Sequence, residues 1–307
     1  TAGGTPYFFG VLRKVGPSLS KVPGPNLTAR DATNTALVPL ANTVLCIDPY
    51  AINWEVSFGA NVFVPAGTTD NRLYAMLANR GVPLYESVCD ISCRAANGKS
   101  AIADVVTEIW LDFADLAVDK KEIDGYNFKT EEVEFPGPFE KRRRMGYWRP
   151  AGEDPAQSLV ALLKKANGNG SCRSWAQLLD ACFDSHVPGS AVFLVVANTE
   201  ECPGAQGFLV KTWFFDLPSG SGLYPYLRDV DVTEQLGVPG QDYPDPVSAF
   251  NNHFVVKRNG IVYDPSYGLG PFGTEWAHEN AAIDGILSPG AGFVKMNSPA
   301  QELSYDL

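Results

Sequence analysis

The chain has 307 residues, 45% of them hydrophobic and 19% charged, an ordinary globular balance at a length that suits one large domain or a small one plus a larger one. A formal net charge of −11 argues against a nucleic-acid partner, which needs a basic face. No apolar run reaches the ~18 residues of a membrane span, so none is expected.

The composition carries some further expectations. The low charged share, the Gly, Pro, Trp and Tyr content and a pI of about 4.8 lean toward a secreted or extracellular protein, with a soluble cytoplasmic one as the alternative. The chain begins at Thr1 rather than Met, which implies that a preceding segment was removed. Six cysteines, at 46, 89, 93, 172, 182 and 202, are too thinly spread for a disulfide framework. With one kept as a thiol, at most two disulfides can form. Lys141–Arg144, the one basic run, reads as a solvated loop.

Residues 1–34 are Gly-, Pro- and Thr-rich. Ile52–Phe58 then alternates apolar and polar residues as a half-buried strand does, and Asn61–Val64 and Leu73–Leu77 are placed to flank it. Residues 1–78 therefore read as a small β-rich domain, immunoglobulin-like in impression, and 79–307 as a second domain.

After Pro83 the pattern turns helical. Leu84–Ala96 reads as a helix ended by Asn97-Gly98, and Ser100 is placed to cap a second. In that second helix Ile102, Val105, Val106, Ile109, Trp110, Phe113 and Leu116 recur at helical spacing, a core stripe. Residues 119–153 are polar. Ala156–Ala166 reads as a third helix, stopped by Asn167-Gly168-Asn169-Gly170, and a fourth opens near Ser171.

Strand candidates come next, at 191–197, 207–215, 252–257 and 260–264. Between 217 and 250 lies a Pro/Gly-rich acidic segment that reads as a loop over a cleft. Helices succeeded by antiparallel strands make an α+β pattern.

Cys172 opens the fourth helix just after the glycine-rich turn. A thiol there meets the positive end of the helix dipole and free backbone N–H groups, both of which favour thiolate, the nucleophilic form. Its own backbone N–H is placed to donate to an oxyanion. Trp175, Ala176, Leu179 and Phe183 share its helix face and are expected to be buried.

The second chemical element is the stretch 251–268. Asn259-Gly260 signals a type I′ hairpin turn. With that turn Arg258 faces Ile261, His253 faces Ser266, and Asp264 becomes a diagonal neighbour of His253. A carboxylate so placed holds one imidazole nitrogen and leaves the other for the thiol.

Gly170-Ser171-Cys172, His253-Phe254-Val255-Val256 and Asp264-Pro265, in that order, resemble the core motifs of the transglutaminase-like superfamily, within the papain-like group of Cys-His-Asp enzymes. The resemblance covers about residues 155–268. It implies a papain-like catalytic domain over 79–307, with Cys172 as nucleophile, His253 as base and Asp264 as its orienter. It also implies a thioester intermediate, a protein or peptide amide as acyl donor, and water or an amine as acceptor. The sequence leaves hydrolysis and transamidation equally open, and a silent binding or structural protein on the same fold is the alternative.

Three more residues are candidates for the oxyanion site or the cleft wall: Asn252 beside the histidine, Trp213, and Trp175. Trp148 is the nearest tryptophan upstream of the cysteine. No cofactor is expected. Calcium is a minor alternative, because the acids of 217–250 lack loop-type ligand spacing. Cys89/Cys93 and Cys182/His186 are i,i+4 pairs, but nothing in the sequence brings them together as a zinc site. His278 lies in a polar stretch and reads as surface.

Overall fold

A computed structural model describes residues 11–15, 42–57, 63–78, 84–121, 126–127, 132–133, 142–149, 154–165, 168–187, 191–198, 207–210, 227–228, 239–244, 246–247, 249–288, 292–294 and 303–306. The fold mixes helices with antiparallel strands, as an α+β pattern requires.

Strands β1 (Val11–Val15), β2 (Leu45–Ser57) and β3 (Phe63–Ala75) form one antiparallel sheet, so the two short flanking strands expected at 61–64 and 73–77 are one long strand. The root of this sheet is tied to the helical part of the chain. Val44 is fully buried in the main core, and its backbone bonds Gly98 and Lys99. Cys46 N donates to Asn97 Oδ1 over 3.0 Å, and Tyr74 OH donates to Asp90 over 3.2 Å.

Helices α1 (Glu86–Ala95) and α2 (Ile102–Ala114) fall where the periodicity puts them. Val105, Ile109, Trp110 and Phe113 of α2 are buried, as a core stripe should be, whereas Ile102 is exposed. The polar stretch beyond α2 is cut into short strands: β4 (Asp119–Lys121), β5 (Tyr126–Asn127), β6 (Glu132–Val133), β7 (Arg142–Arg144) and β8 (Gly146–Tyr147). Within the basic run Arg142 grips the buried Asp90 through both terminal nitrogens, at 2.7 and 3.1 Å, which pins β7 to α1.

Helix α3 (Leu159–Lys164) is capped by Ser158, whose side chain accepts from the Ala161 N–H. Then come β9 (Asn169–Gly170) and α4 (Cys172–Asp184). Helix α4 is buried along most of its length. Trp175, Ala176, Leu178, Leu179, Cys182 and Phe183 are all fully buried, with Trp175 set edge-on to Phe113 and Phe183 to Tyr263.

One face of α4 packs under a five-stranded antiparallel sheet. Its strands are β10 (Ala191–Asn198), β14 (Asn252–Arg258), β15 (Ile261–Asp264), β16 (Leu269–Phe272) and β19 (Leu303–Asp306), in the order β16-β15-β14-β10-β19. A second sheet is built from β11 (Gly207–Val210), β12 (Leu227–Arg228), β13 (Ala249–Phe250), β17 (Ile283–Ser288) and β18 (Gly292–Val294), in the order β12-β18-β17-β11-β13. Helix α5 (Glu275–Ala282) bridges β16 and β17.

The segment 217–250, expected as a loop over a cleft, belongs in its described part to the core instead. Strands β12 and β13 lie in it, and Gln241 is fully buried. The Gln241 amide donates to the carbonyls of Phe113 and Pro265, both at 2.7 Å. A single side chain thus satisfies two backbone acceptors from two distant elements, which makes this turn part of the core.

Gly170 is required by close packing. A Cβ there would lie 2.4 Å from Ser174 Oγ and 2.7 Å from Leu162 Cδ1. Gly170→Ala is expected to cost about 1–3 kcal/mol by overpacking at the start of α4. Urea denaturation checks this, and an unchanged midpoint would remove the packing argument.

Candidate active site

Three local structures converge at one place. The first is the start of α4. Ser171 adopts an extended N-cap conformation without a side-chain cap bond. The first-turn N–H groups around Cys172 are therefore not covered by that hydroxyl, and they leave the helix dipole facing outward at the thiol.

The turn before it is clamped from two sides. β9 runs parallel to β8, and Ala156 bridges Gly170. Asn169 accepts from the Arg149 N–H at 2.8 Å and donates to the Arg149 carbonyl at 3.0 Å. Cys172 is 5% exposed, so the residue is nearly covered rather than displayed on the surface.

The second structure is the hairpin of β14 and β15. Asn259 and Gly260 both have positive φ, 48° and 82°, as a type I′ turn requires. The register pairs Arg258 with Ile261, Lys257 with Val262 and Val256 with Tyr263. That register makes His253 and Asp264 diagonal neighbours on one face, and the Nε2–Oδ2 distance is 2.9 Å. Both side chains are fully buried. Asp264 Oδ1 accepts from the Ser266 N–H at 3.2 Å, so both carboxylate oxygens are engaged.

With Nε2 committed to Asp264, the Nδ1 of His253 is buried without a formed hydrogen bond, and the Cys172 thiol is the group that acts on the ring from outside the hairpin. Burial by itself would lower the His253 pKa. The Asp264 charge and hydrogen bond, then the Cys172 thiol, outweigh burial and lift it above the usual histidine range, to about 10. For Asp264 burial would raise the pKa, but His253 and then His278 hold it well below the usual carboxylate range. The pair is therefore set as imidazolium and carboxylate.

The third structure is β8 with the turn of Gln241. Tyr147 is fully buried, bonded through its N–H to the Gln241 carbonyl at 2.8 Å. Its ring lies 5.1 Å from that of Tyr267, which lies 5.7 Å from the His253 ring. Burial, aided by Tyr267 and Cys172, pushes its phenol pKa far up, so it remains an O–H donor beside the thiol. Trp148 packs on Phe250, whose ring is 5.3 Å from His253, which puts this tryptophan at the wall of the site.

Cys172, His253 and Asp264 are thus brought together, and the further candidates divide. Trp175 is a correction: it is fully buried and its indole N–H is committed to the Gly146 carbonyl at 3.2 Å, so it belongs to the core and not to the cleft. Asn252 opens β14 beside His253 and is exposed. Trp213 lies outside the described residues.

His278 is a second correction. It is fully buried, because α5 folds its polar stretch against Asp264 and Tyr305. The missed signal was Thr274, whose side chain accepts from the Ala277 N–H as a helix N-cap, with Glu275 immediately after it. Tyr147 and Gln241 had no local signal, since only chain segments far apart in sequence give them their place.

The helices that carry the i,i+4 cysteine pairs do meet. α1 and α4 touch through Ser92 and Ser185 at 3.0 Å. Burial pushes the Cys89, Cys93 and Cys182 thiols up, Cys93 to about 12, which makes them poor nucleophiles. Among the described residues no group of three or more His, Cys, Asp or Glu is arranged to hold a metal, and no helix is long and apolar enough to cross a membrane. No protein-family model, no curated protein and no solved structure matches this chain.

Proposed function

We propose that this protein is a cysteine-dependent acyl-transfer enzyme of transglutaminase-like, papain-like architecture, acting on protein or peptide amides through a thioester. The observation that carries the reading is the fully buried His253–Asp264 pair at 2.9 Å, its free nitrogen Nδ1 left for a thiol at an uncapped helix start.

The chemistry is built on those positions. The Cys172 thiolate attacks the amide carbonyl carbon and forms the C–S bond, while the carbonyl oxygen takes up negative charge. The backbone N–H groups at the start of α4 and the Tyr147 hydroxyl are the donors nearest in kind to that charge. His253, as imidazolium, gives its Nδ1 proton to the leaving nitrogen and the C–N bond breaks. Water or an amine then attacks the thioester, returns a proton to His253 and frees the thiolate. Asp264 keeps the imidazole in one tautomer throughout.

A glutamine side chain or a peptide bond meets the same donor requirement. The net charge of −11 favours cationic amines such as lysine as acceptors.

Two measurements test the reading together. Iodoacetamide at neutral pH is expected to label Cys172 stoichiometrically and ahead of Cys89, Cys93 and Cys182. Glutamine-containing peptides are expected to release ammonia, faster when an amine is added if transamidation dominates. A Cys172 that stays unlabelled, with no ammonia from any such peptide, favours the silent binding protein instead.

A further inference from the structure

Asp264 faces two histidines, and the proposed mechanism uses only one. His278 Nε2 lies 3.8 Å from the same carboxylate oxygen, Oδ2, that holds His253. At that length it makes no hydrogen bond, and the atom is buried without another partner. The opposite nitrogen, Nδ1, is 2.7 Å from the hydroxyl of Tyr305 on β19. His278, Asp264 and His253 are all fully buried.

A buried imidazole nitrogen aimed at a carboxylate and bonded to nothing else calls for a reason, because unmet polar groups in the interior are costly. The arrangement is also well supported. α5 carries His278 and is anchored at three points: the Thr274 cap, the Glu275–Lys257 ion pair at 2.7 Å, and Glu279, which accepts from the Leu303 N–H at 2.9 Å. That last bond ties α5 to β19, the strand that presents Tyr305.

Charge sets the tautomer. A lone pair on Nε2 would face the carboxylate and be repelled. The proton of a neutral His278 therefore sits on Nε2, and the Tyr305 O–H donates to Nδ1. Burial lowers the His278 pKa and the His253 charge adds to this; together they outweigh the Asp264 carboxylate and leave the ring neutral. Burial, with Glu279, Glu275 and Asp264 around it, keeps Tyr305 a phenol.

We infer that His278, aimed by Tyr305, is a positioning residue for the acyl-transfer site: a second N–H donor to Asp264 that holds its carboxylate in place while His253 gives up and regains its proton. In the resting site Asp264 is satisfied by His253 and the Ser266 N–H. When His253 passes its proton to the leaving nitrogen, the carboxylate loses a cationic partner in a dry interior. A donor 3.8 Å away closes on it with a small movement and keeps its plane fixed. No bond is made or broken at His278 and no net proton crosses it.

This inference rests on the proposed function, and its test separates the two. The kcat and KM for ammonia release from a glutamine-containing peptide and the rate of Cys172 alkylation by iodoacetamide are measured at acid, neutral and alkaline pH, with thermal melts, in the full chain and in His278→Leu, His278→Gln and Tyr305→Phe. Glutamine carries a side-chain N–H close to the place of Nε2, whereas leucine fills the space without a donor. The donor role predicts that His278→Leu lowers kcat about tenfold at neutral pH with KM and Cys172 alkylation little changed, because alkylation needs no proton from His253. His278→Gln is expected to stay within about twofold of the parent, and Tyr305→Phe to lose about threefold with little change in melting.

An unchanged kcat in His278→Leu overturns the inference while leaving the proposed function standing. So does an equal loss in His278→Leu and His278→Gln that tracks their melting temperatures, because that is packing alone. If the parent releases no ammonia from any such peptide, the proposed function itself fails and this inference fails with it.

Discussion

Cys172→Ala is expected to abolish acyl transfer, by at least about a thousandfold, while the fold survives. The proposed covalent route runs through the sulfur, and Cys182 on the same helix cannot replace it, since it is fully buried and held protonated. The structural loss is small. Cys172 is the first residue of α4, and alanine keeps the helix start, the clamp of Gly170 between β8 and Ala156, and the packing of Trp175 below. A stability change within about 1 kcal/mol is expected for so small a truncation. The measurements are ammonia release from a glutamine-containing peptide and a thermal melt. Retained turnover beside an unchanged melt would remove Cys172 from the mechanism.

His253→Ala is expected to match that loss of activity and to add a loss of stability. Asp264 is fully buried and held ionised mainly by His253. Alanine strands the carboxylate, which costs about 3–5 kcal/mol for a broken buried pair. His253→Gln restores an N–H near Oδ2, so its stability is expected to recover while its activity is not. Asp264→Asn is expected to be the milder lesion, about 10²- to 10⁴-fold in kcat, because it misaligns the imidazole without removing it.

The pH dependence carries a definite sign. Burial lowers the His253 pKa, but Asp264 and Cys172 raise it, from 6.5 to about 10 in the folded protein. The stability this supplies is fully present below the unfolded value of 6.5 and is lost as the pH rises through about 10. In Asp264→Asn burial is left largely unopposed. Its melting temperature is therefore expected to gain nothing from His253 at any pH and to fall as the pH drops below the unfolded value of 6.5, and the alkaline limb of activity to move to lower pH. Parallel pH–stability curves for the parent and Asp264→Asn would contradict the paired assignment.

Much of this site could be read from the chain because its parts are local. The helix start after Asn167-Gly168-Asn169-Gly170 depends on backbone preferences within a few residues, and α4 begins at Cys172 as that reading requires. The Asn259-Gly260 turn sets the hairpin register by itself, and the register decides which side chains share a face. The diagonal placement of His253 and Asp264 was therefore contained in the sequence before any packing was known.

What lay beyond reach depended on chain segments that meet only in three dimensions. His278 looked like a surface residue because its neighbours in sequence are polar, yet α5 lies against β15 and β16 and turns that one ring inward. Trp175 was read both as a buried residue of its helix face and as a cleft candidate, and the Gly146 carbonyl that takes its N–H decides for the core. The acidic, Gly/Pro-rich segment before His253 looked like a cover, but Gln241 closes hydrogen bonds to Phe113 and Pro265 that nothing nearby in sequence could announce. Local propensity and turn geometry determined the Cys172 helix and the His–Asp hairpin. The meeting of thiol and imidazole, the burial of Tyr147 and His278, and the role of Gln241 were decided by tertiary packing, because a buried polar group is placed by the partners that satisfy it, and those partners come from distant parts of the chain.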